Sequence, residues 1–237
     1  MPYDDSTDFE DFIQGVNALT VGYRLVQTLY FTSTDDFVKA TYPWLRAVKA
    51  KVQAAGGSGA GAEATNVDQI SGGSGGTAGA YAEKFILASE LLATETVTVG
   101  EGGAGVTGAA GNPGENSSFG AHVSANGGPA GVLRTATTPP RIALTAAAQA
   151  TGTGDLVIPG APGVPPIHLG TGASQNMGGK GGDSHLGAGG RGRVDTNGDA
   201  GAGYGAAGGG AANSASEAST RAGGDGVDGI VIVELYA

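Results

Sequence analysis

The chain has 237 residues, of which 47 are Gly and 10 Pro, while aromatic residues make up 6%; a conventional core of Leu, Ile and Phe is therefore thin. A formal net charge of −10 argues against nucleic acid, which requires clustered Lys and Arg, and against an anionic membrane surface. The absence of Cys removes disulfide frameworks, thiolate nucleophiles and zinc–thiolate sites, and no segment approaches the ~20 apolar residues of a membrane-spanning helix.

The acidic start, "MPYDDSTDFEDF", lacks a basic region followed by an apolar run, so it does not read as a secretory signal. Residues 6–19 read as one short helix. Thr7 and Glu10 form a capping box, and Phe9, Phe12, Ile13 and Val16 share an apolar face. A helix this short is marginal alone, so its stripe must dock, either on its own domain or as an adaptor on a partner or symmetry mate. Residues 24–32 read as a strand. A polar turn, a short run and a break at Pro43 follow. Residues 44–53 alternate, with Trp44, Arg46, Val48, Ala50 and Val52 on one face and Leu45, Ala47, Lys49, Lys51 and Gln53 on the other. Further strands are expected around 82–88 and 96–100. The closing "GIVIVELYA" is the strongest strand pattern in the chain. Strands at both ends thus frame a glycine-rich body.

Within that body Gly102, Gly105, Gly108, Gly111 and Gly114 recur every third residue. Helix and strand both disfavour this rhythm, because interior Gly weakens either. Polyproline II has ~3 residues per turn and no internal hydrogen bonds. Gly on one face lets neighbouring runs approach until backbone N–H and C=O groups pair between them, as in polyglycine II. The series is too short and too poor in Pro for collagen. A branched residue at Gly108 or Gly111 is expected to disrupt folding. Pro159, Pro162, Pro165 and Pro166 favour the same polyproline geometry in a region, 134–168, that differs in composition from its surroundings.

The collinear series "LYFTS", "YPWLRAVKAKVQAAGGSG", "AEKFILASELLATETVTVGEGG", "SSFGAHVSANGG" and "GGDGVDGIVIVELY" resembles the glycine-rich domain of tailed-bacteriophage tail proteins, found on tail fibres, minor tail proteins and receptor-binding adhesins. The resemblance runs from about Arg24 to Ala237 and is poor over 134–168. It implies a mainly β fold: a β-strand frame around a polyglycine/polyproline II body, with loops at one end contacting the host surface. It also implies two units, an attachment segment at 1–23 and the glycine-rich domain at 24–237. Phe9, Phe12, Ile13 and Val16 are then the candidates for attachment to the virion.

Chemical motifs are weak. "GAGVTG" and "GYGAAG" spell GxGxxG, which carries no force at this glycine content without a flanking strand and helix. "GGDGVDGIV" (223–231) fits one calcium β-roll nonapeptide, but that fold needs stacked copies, and a tight turn before the last strand is the plainer expectation. His122, His168 and His185 have no short spacing, and no carboxylate pair is marked for glycoside hydrolysis. No enzymatic activity and no cofactor or metal are expected. For recognition, the polar and aromatic residues set among Gly and Ala stand out: Asn176, His185, Arg191, Arg193, Asp195, Asn197 and Tyr204.

The expected function is that of a structural virion protein, made in the host cytoplasm and carried on the tail. As a tail-fibre or tail-tip component it would bind a host surface receptor, either a glycan or an outer-surface protein. Its other partners would be virion proteins and further copies of itself, a trimer being favoured by the resemblance. The alternatives are a head or tail decoration protein with a purely structural role and a calcium-dependent β-roll.

Overall fold

The computed structural model describes residues 22–142 and 148–237. The helix expected over 6–19, with Phe9, Phe12, Ile13 and Val16, lies outside the described residues. In chain order the strands are β1 (Leu25–Phe31), β2 (Asp35–Val38), β3 (Ala47–Gln53), β4 (Ile70–Gly73), β5 (Tyr81–Leu87), β6 (Thr94–Thr98), β7 (Ser117–Phe119), β8 (Val123–Ala125), β9 (Leu133–Thr137) and β10 (Arg141–Ile142). They continue with β11 (Gly152–Thr153), β12 (Leu156–Ile158), β13 (Ile167–His168), β14 (Asn176–Met177), β15 (Leu186–Ala188), β16 (Arg193–Val194), β17 (Ala202–Tyr204), β18 (Ala211–Asn213) and β19 (Ile230–Tyr236). The described fold is mainly β, and its helical content is two short 3₁₀ turns at Lys39–Thr41 and Ala173–Gln175.

The frame is a pair of five-stranded sheets, ordered β1-β19-β3-β5-β12 and β11-β8-β7-β6-β2. Between them lies a core that includes Phe37, Val48, Val52, Ile86, Val97, Phe119, Val123, Val231, Val233 and Leu235. Alternation puts these side chains inward, and each large one contributes about 1.5–3 kcal/mol by leaving water. The closing strand β19 is central, paired with both β1 and β3.

The glycine-rich runs leave this frame and return to it. Residues 54–62 run out from β3, and 74–80 come back into β5. Residues 99–106 run out from β6, and 109–116 come back into β7. Later, 205–211 run out and 221–229 come back into β19. The backbone of 55–62 shows how the runs are held. Its successive N–H groups donate to Glu115, Val227, Thr77, Asn112, Gly224, Ser74, Ala109 and Arg221 carbonyls. Every third donor therefore reaches the same neighbouring run, three residues further along it and in the opposite direction. Carbonyls of the same run accept from Gly103, Gly128, Gly131, Gly208 and Ala211. One run is thus surrounded by six others: 74–77, 109–115 and 221–227, to which it donates, and 103–106, 128–131 and 208–211, which lie on its accepting sides. Residues 52–62, 70–82 and 205–214 are buried throughout, and this pairing satisfies backbone groups that burial would otherwise penalise.

The triplet glycines do not form one continuous run. The chain reverses around Gly108, which has φ +63°, so Gly102 and Gly105 lie on an outward run and Gly111 and Gly114 on the returning one. A Cβ at Gly111 would lie 2.6 Å from the Ser58 carbonyl oxygen, whereas at Gly108 its nearest contact would be the Thr220 side chain, at 3.2 Å. The expected intolerance of Gly111 is a matter of space. At Gly108 it is a matter of left-handed backbone.

The segment before β19 is also not a turn. Residues 223–229 form a body run whose N–H groups at Gly223, Gly226 and Gly229 reach Val106, Gly103 and Gly100. Asp225 and Asp228 accept in return from the Gly105 and Gly102 N–H groups, at 2.6 and 2.7 Å. On the outer side of the body a carboxylate stands where the interior would supply a carbonyl, and this accounts for the calcium-like spacing of the two acids.

Candidate functional site

The outward runs end, and the returning runs begin, at the end of the body remote from the frame. Two small sheets close it, β16-β18-β4-β9 and β10-β13-β14. Loops are tied there by backbone bonds: Thr65 N–H to Glu217 O at 2.8 Å, Ser216 N–H to Asn66 O at 3.0 Å, and Ala215 N–H to Thr171 O at 2.9 Å. Asn213 adds side-chain donation to the Glu63 and Ser219 carbonyls. The result is a braced platform of the loops 63–70, 167–177 and 213–220.

This platform carries exposed apolar side chains. Leu169 is 60% exposed, Met177 51% and Val67 70%. Ile167 pairs across β13 and β14 with Met177. Ile167, Leu169, Ser174, Gln175, Asn176 and Met177 line an open hollow of about 230 Å³. Beneath it His168 is buried, with Nδ1 3.1 Å from Asn176 Oδ1. Its ring lies where a Cβ at Gly72 would fall, so a glycine admits the imidazole that supports the hollow.

The residues singled out in the sequence are divided by the fold. Asn176 is buried, and its amide donates to the Gly170 and Gly172 carbonyls at 2.9 and 2.8 Å. It shapes the wall of the hollow and does not stand out from the surface. Asp195, at φ +54°, accepts from the Ser214 N–H at 2.7 Å and hydroxyl at 2.9 Å. Asn197 accepts from Ala222 N–H at 3.0 Å. Asp195 braces the platform from its side, and Asn197 holds the start of the body run 221–229 just beyond it. Arg193 makes a forked pair with Asp199, at 2.9 and 2.7 Å. That guanidinium holds the Asp199 carboxyl below the usual range against a smaller opposing effect of burial, and Arg191 adds to the pull. Arg191, two residues earlier, is exposed. His185 and Tyr204 sit at the opposite end, beside the frame: Leu186 pairs with Tyr204 across β15 and β17, and the His185 ring lies 4.4 Å from that of Tyr81. The seven candidates therefore do not make one patch.

Sequence reasoning missed Val67, Ile167, Leu169 and Met177. Ile167 lies within 134–168, the region where the family resemblance weakens, and Leu169 directly follows it; that was the available signal for these two, and Val67 and Met177 had none.

A family profile described as a glycine-rich domain matches residues 32–236. The chain belongs to the glycine-rich domain family. The match takes in the frame from β2 onward, all of the body described above and the platform. No curated protein matches the chain.

Proposed function

We propose that the chain is a structural component of a tailed-phage or phage-like particle, a tail-fibre or tail-tip protein that binds the host surface through the platform remote from its frame. The glycine body is read as a bundle of polyglycine II helices, a reading supported by the three-residue hydrogen-bond cycle of 55–62 and its six surrounding runs. Such a bundle is a stiff spacer whose interior is almost all Gly and Ala, with Ser58, Ser74 and Thr77 its few polar side chains. Recognition then falls to the loops where the runs reverse. The observation that carries the proposal is the exposure of Leu169, Met177 and Val67 on loops braced to one another: exposed apolar groups on a rigid support mark interaction sites. The apolar lining favours an outer-surface protein over a glycan as the receptor. The frame end faces the rest of the particle.

The test is an adsorption competition. Purified protein, added to host cells before the particle, is expected to block adsorption. The double variant Leu169→Asp/Met177→Asp should fail to block while keeping its melting temperature, and His185→Ala/Tyr204→Ala should block as the unmodified chain does. If the folded protein never blocks at saturating concentration, the chain is a decoration protein and the platform does not bind the host.

A further inference from the structure

Among the described residues the outer face of the first frame sheet is only partly covered, by the His185 ring beside Tyr81 and the Tyr23 ring on Phe85. Strand alternation places Tyr30 of β1, Ile232, Glu234 and Tyr236 of β19, Lys49 and Lys51 of β3, and Tyr81, Glu83, Phe85 and Leu87 of β5 on this side, opposite the core. Its charges are already matched: Lys49 pairs with Glu83 at 2.7 Å and Lys51 with Glu234. Tyr81 and Tyr236 donate their hydroxyls to the same two carboxylates, each at 3.0 Å. What remains open is apolar, with Tyr30 67%, Phe85 38% and Leu87 40% exposed. An exposed aromatic face of this kind on a monomer marks a contact surface.

The direction of the chain indicates what covers it. Arg24 exchanges both backbone hydrogen bonds with Ala237, at 3.1 and 3.0 Å, which places it beside the end of β19. Tyr23, one residue earlier, lays its ring edge-on to Phe85 of β5 at 5.1 Å, and Phe85 continues to Tyr236 at 5.8 Å. β5 is three places from β1 in the sheet, roughly 14 Å at ordinary strand spacing. The Tyr23 side chain therefore lies on the outer face, reaching from the β1 edge towards β5.

We propose that residues 6–19 of the same chain cover this face, with Phe9, Phe12, Ile13 and Val16 against Tyr23, Phe85, Leu87 and Tyr30. The helix expected from the spacing of those apolar residues would be about 21 Å long. A five-stranded sheet is about 19 Å across, so the length suits the width. Charge agrees as well. Residues 1–21 carry Asp4, Asp5, Asp8, Glu10 and Asp11 and no Lys or Arg, and exposed Arg24 and Arg46 lie at the outer end of the sheet, where Arg46 N–H bonds Tyr236 O at 2.8 Å. Of the two uses open for this segment on sequence grounds, docking on its own domain is the one the geometry favours.

The chain lacks Cys, so a nitroxide attached at Tyr30→Cys labels one place. In the ¹⁵N-labelled full chain it should erase the amide signals of residues 9–16. Phe85→Asp, on a partly exposed position, should restore those signals while the dispersed signals of the frame persist. Unchanged signals for 9–16 beside the nitroxide would overturn the proposal. So would erasure that also appears at equal strength when nitroxide-bearing unlabelled chain is mixed with ¹⁵N-labelled chain lacking the nitroxide, because the occupant is then a second copy.

Discussion

The frame and the glycine body solve the same problem with different physics. The frame buries large side chains between two sheets, with Phe37, Phe119 and Ile86 at its centre. The body buries backbone: Gly57, Gly76 and Gly208 have backbone where a Cβ would stand, and their N–H groups donate to the Thr77, Gly208 and Gly57 carbonyls respectively. Apolar cores tolerate volume changes by repacking flexible side chains. A lattice of paired backbones has nothing flexible to move, so the body should be the more brittle of the two.

The largest effect is therefore expected from Gly76→Val or Gly208→Val. Each should cost at least about 4 kcal/mol and abolish the folded circular dichroism and thermal transition of the whole chain, while Gly22→Val, where a Cβ meets nothing within 4 Å, should leave both unchanged. If the frame still melts cooperatively in Gly76→Val, the two regions fold independently and the comparison must be redrawn. Next comes the frame itself. Phe119→Ala should cost about 3–5 kcal/mol in urea denaturation yet leave a folded protein at low temperature in low denaturant.

Smaller effects probe the rim of the body. Asp225→Ala and Asp228→Ala each orphan a backbone N–H, at Gly105 and Gly102 respectively. Each should cost about 1 kcal/mol, the low end for an unsatisfied donor because water can reach these sites. Asn at either position, retaining an acceptor oxygen, should recover most of it. Calcium or a chelator should shift the melting temperature of none of these proteins. The smallest expected effect is on the frame's outer face. Burial raises the Glu83 and Glu234 carboxyls, but hydrogen bonds from Lys49 and Tyr81, and from Lys51 and Tyr236, outweigh it and leave both below their ordinary value of 4.5. A carboxyl depressed in the folded state stabilises fully above its unfolded value. That stabilisation should persist from neutrality to about pH 4.5 and drain away as pH falls through the lower folded values. Glu83→Gln should flatten this part of the stability–pH curve in thermal melts.

Much of this division could be seen in the residues themselves. The alternation read over 44–53 and 230–236 specified strands because period two needs no knowledge of the partner, although the first strand begins only at Ala47, leaving Trp44, Leu45 and Arg46 outside it. The triplet glycines specified backbone contact, since removing every third side chain has no use in helix or strand. The site was far less legible. Asp195 and Asn197 look like recognition residues because they are polar and lie in a glycine field, yet their oxygens are taken by Ser214 and Ala222. Nothing local to 195–197 announces an acceptor needed 19 and 25 residues later. Leu169 and Met177, ordinary apolar residues on paper, are exposed because the runs before and after them reverse at the end of the body.

By itself, then, the order of residues determined which segments extend, where side chains are too small for a conventional core, and which strand closes the chain, all of them properties of neighbours along the backbone. Only the tertiary structure decided which run pairs with which, that the series through Gly108 turns back on itself, and that Tyr204 and Asp195 lie at opposite ends of the body. Those are matters of register among runs nearly identical in composition, and register is set by the length of each excursion from the frame and by the hydrogen-bond partners waiting for it.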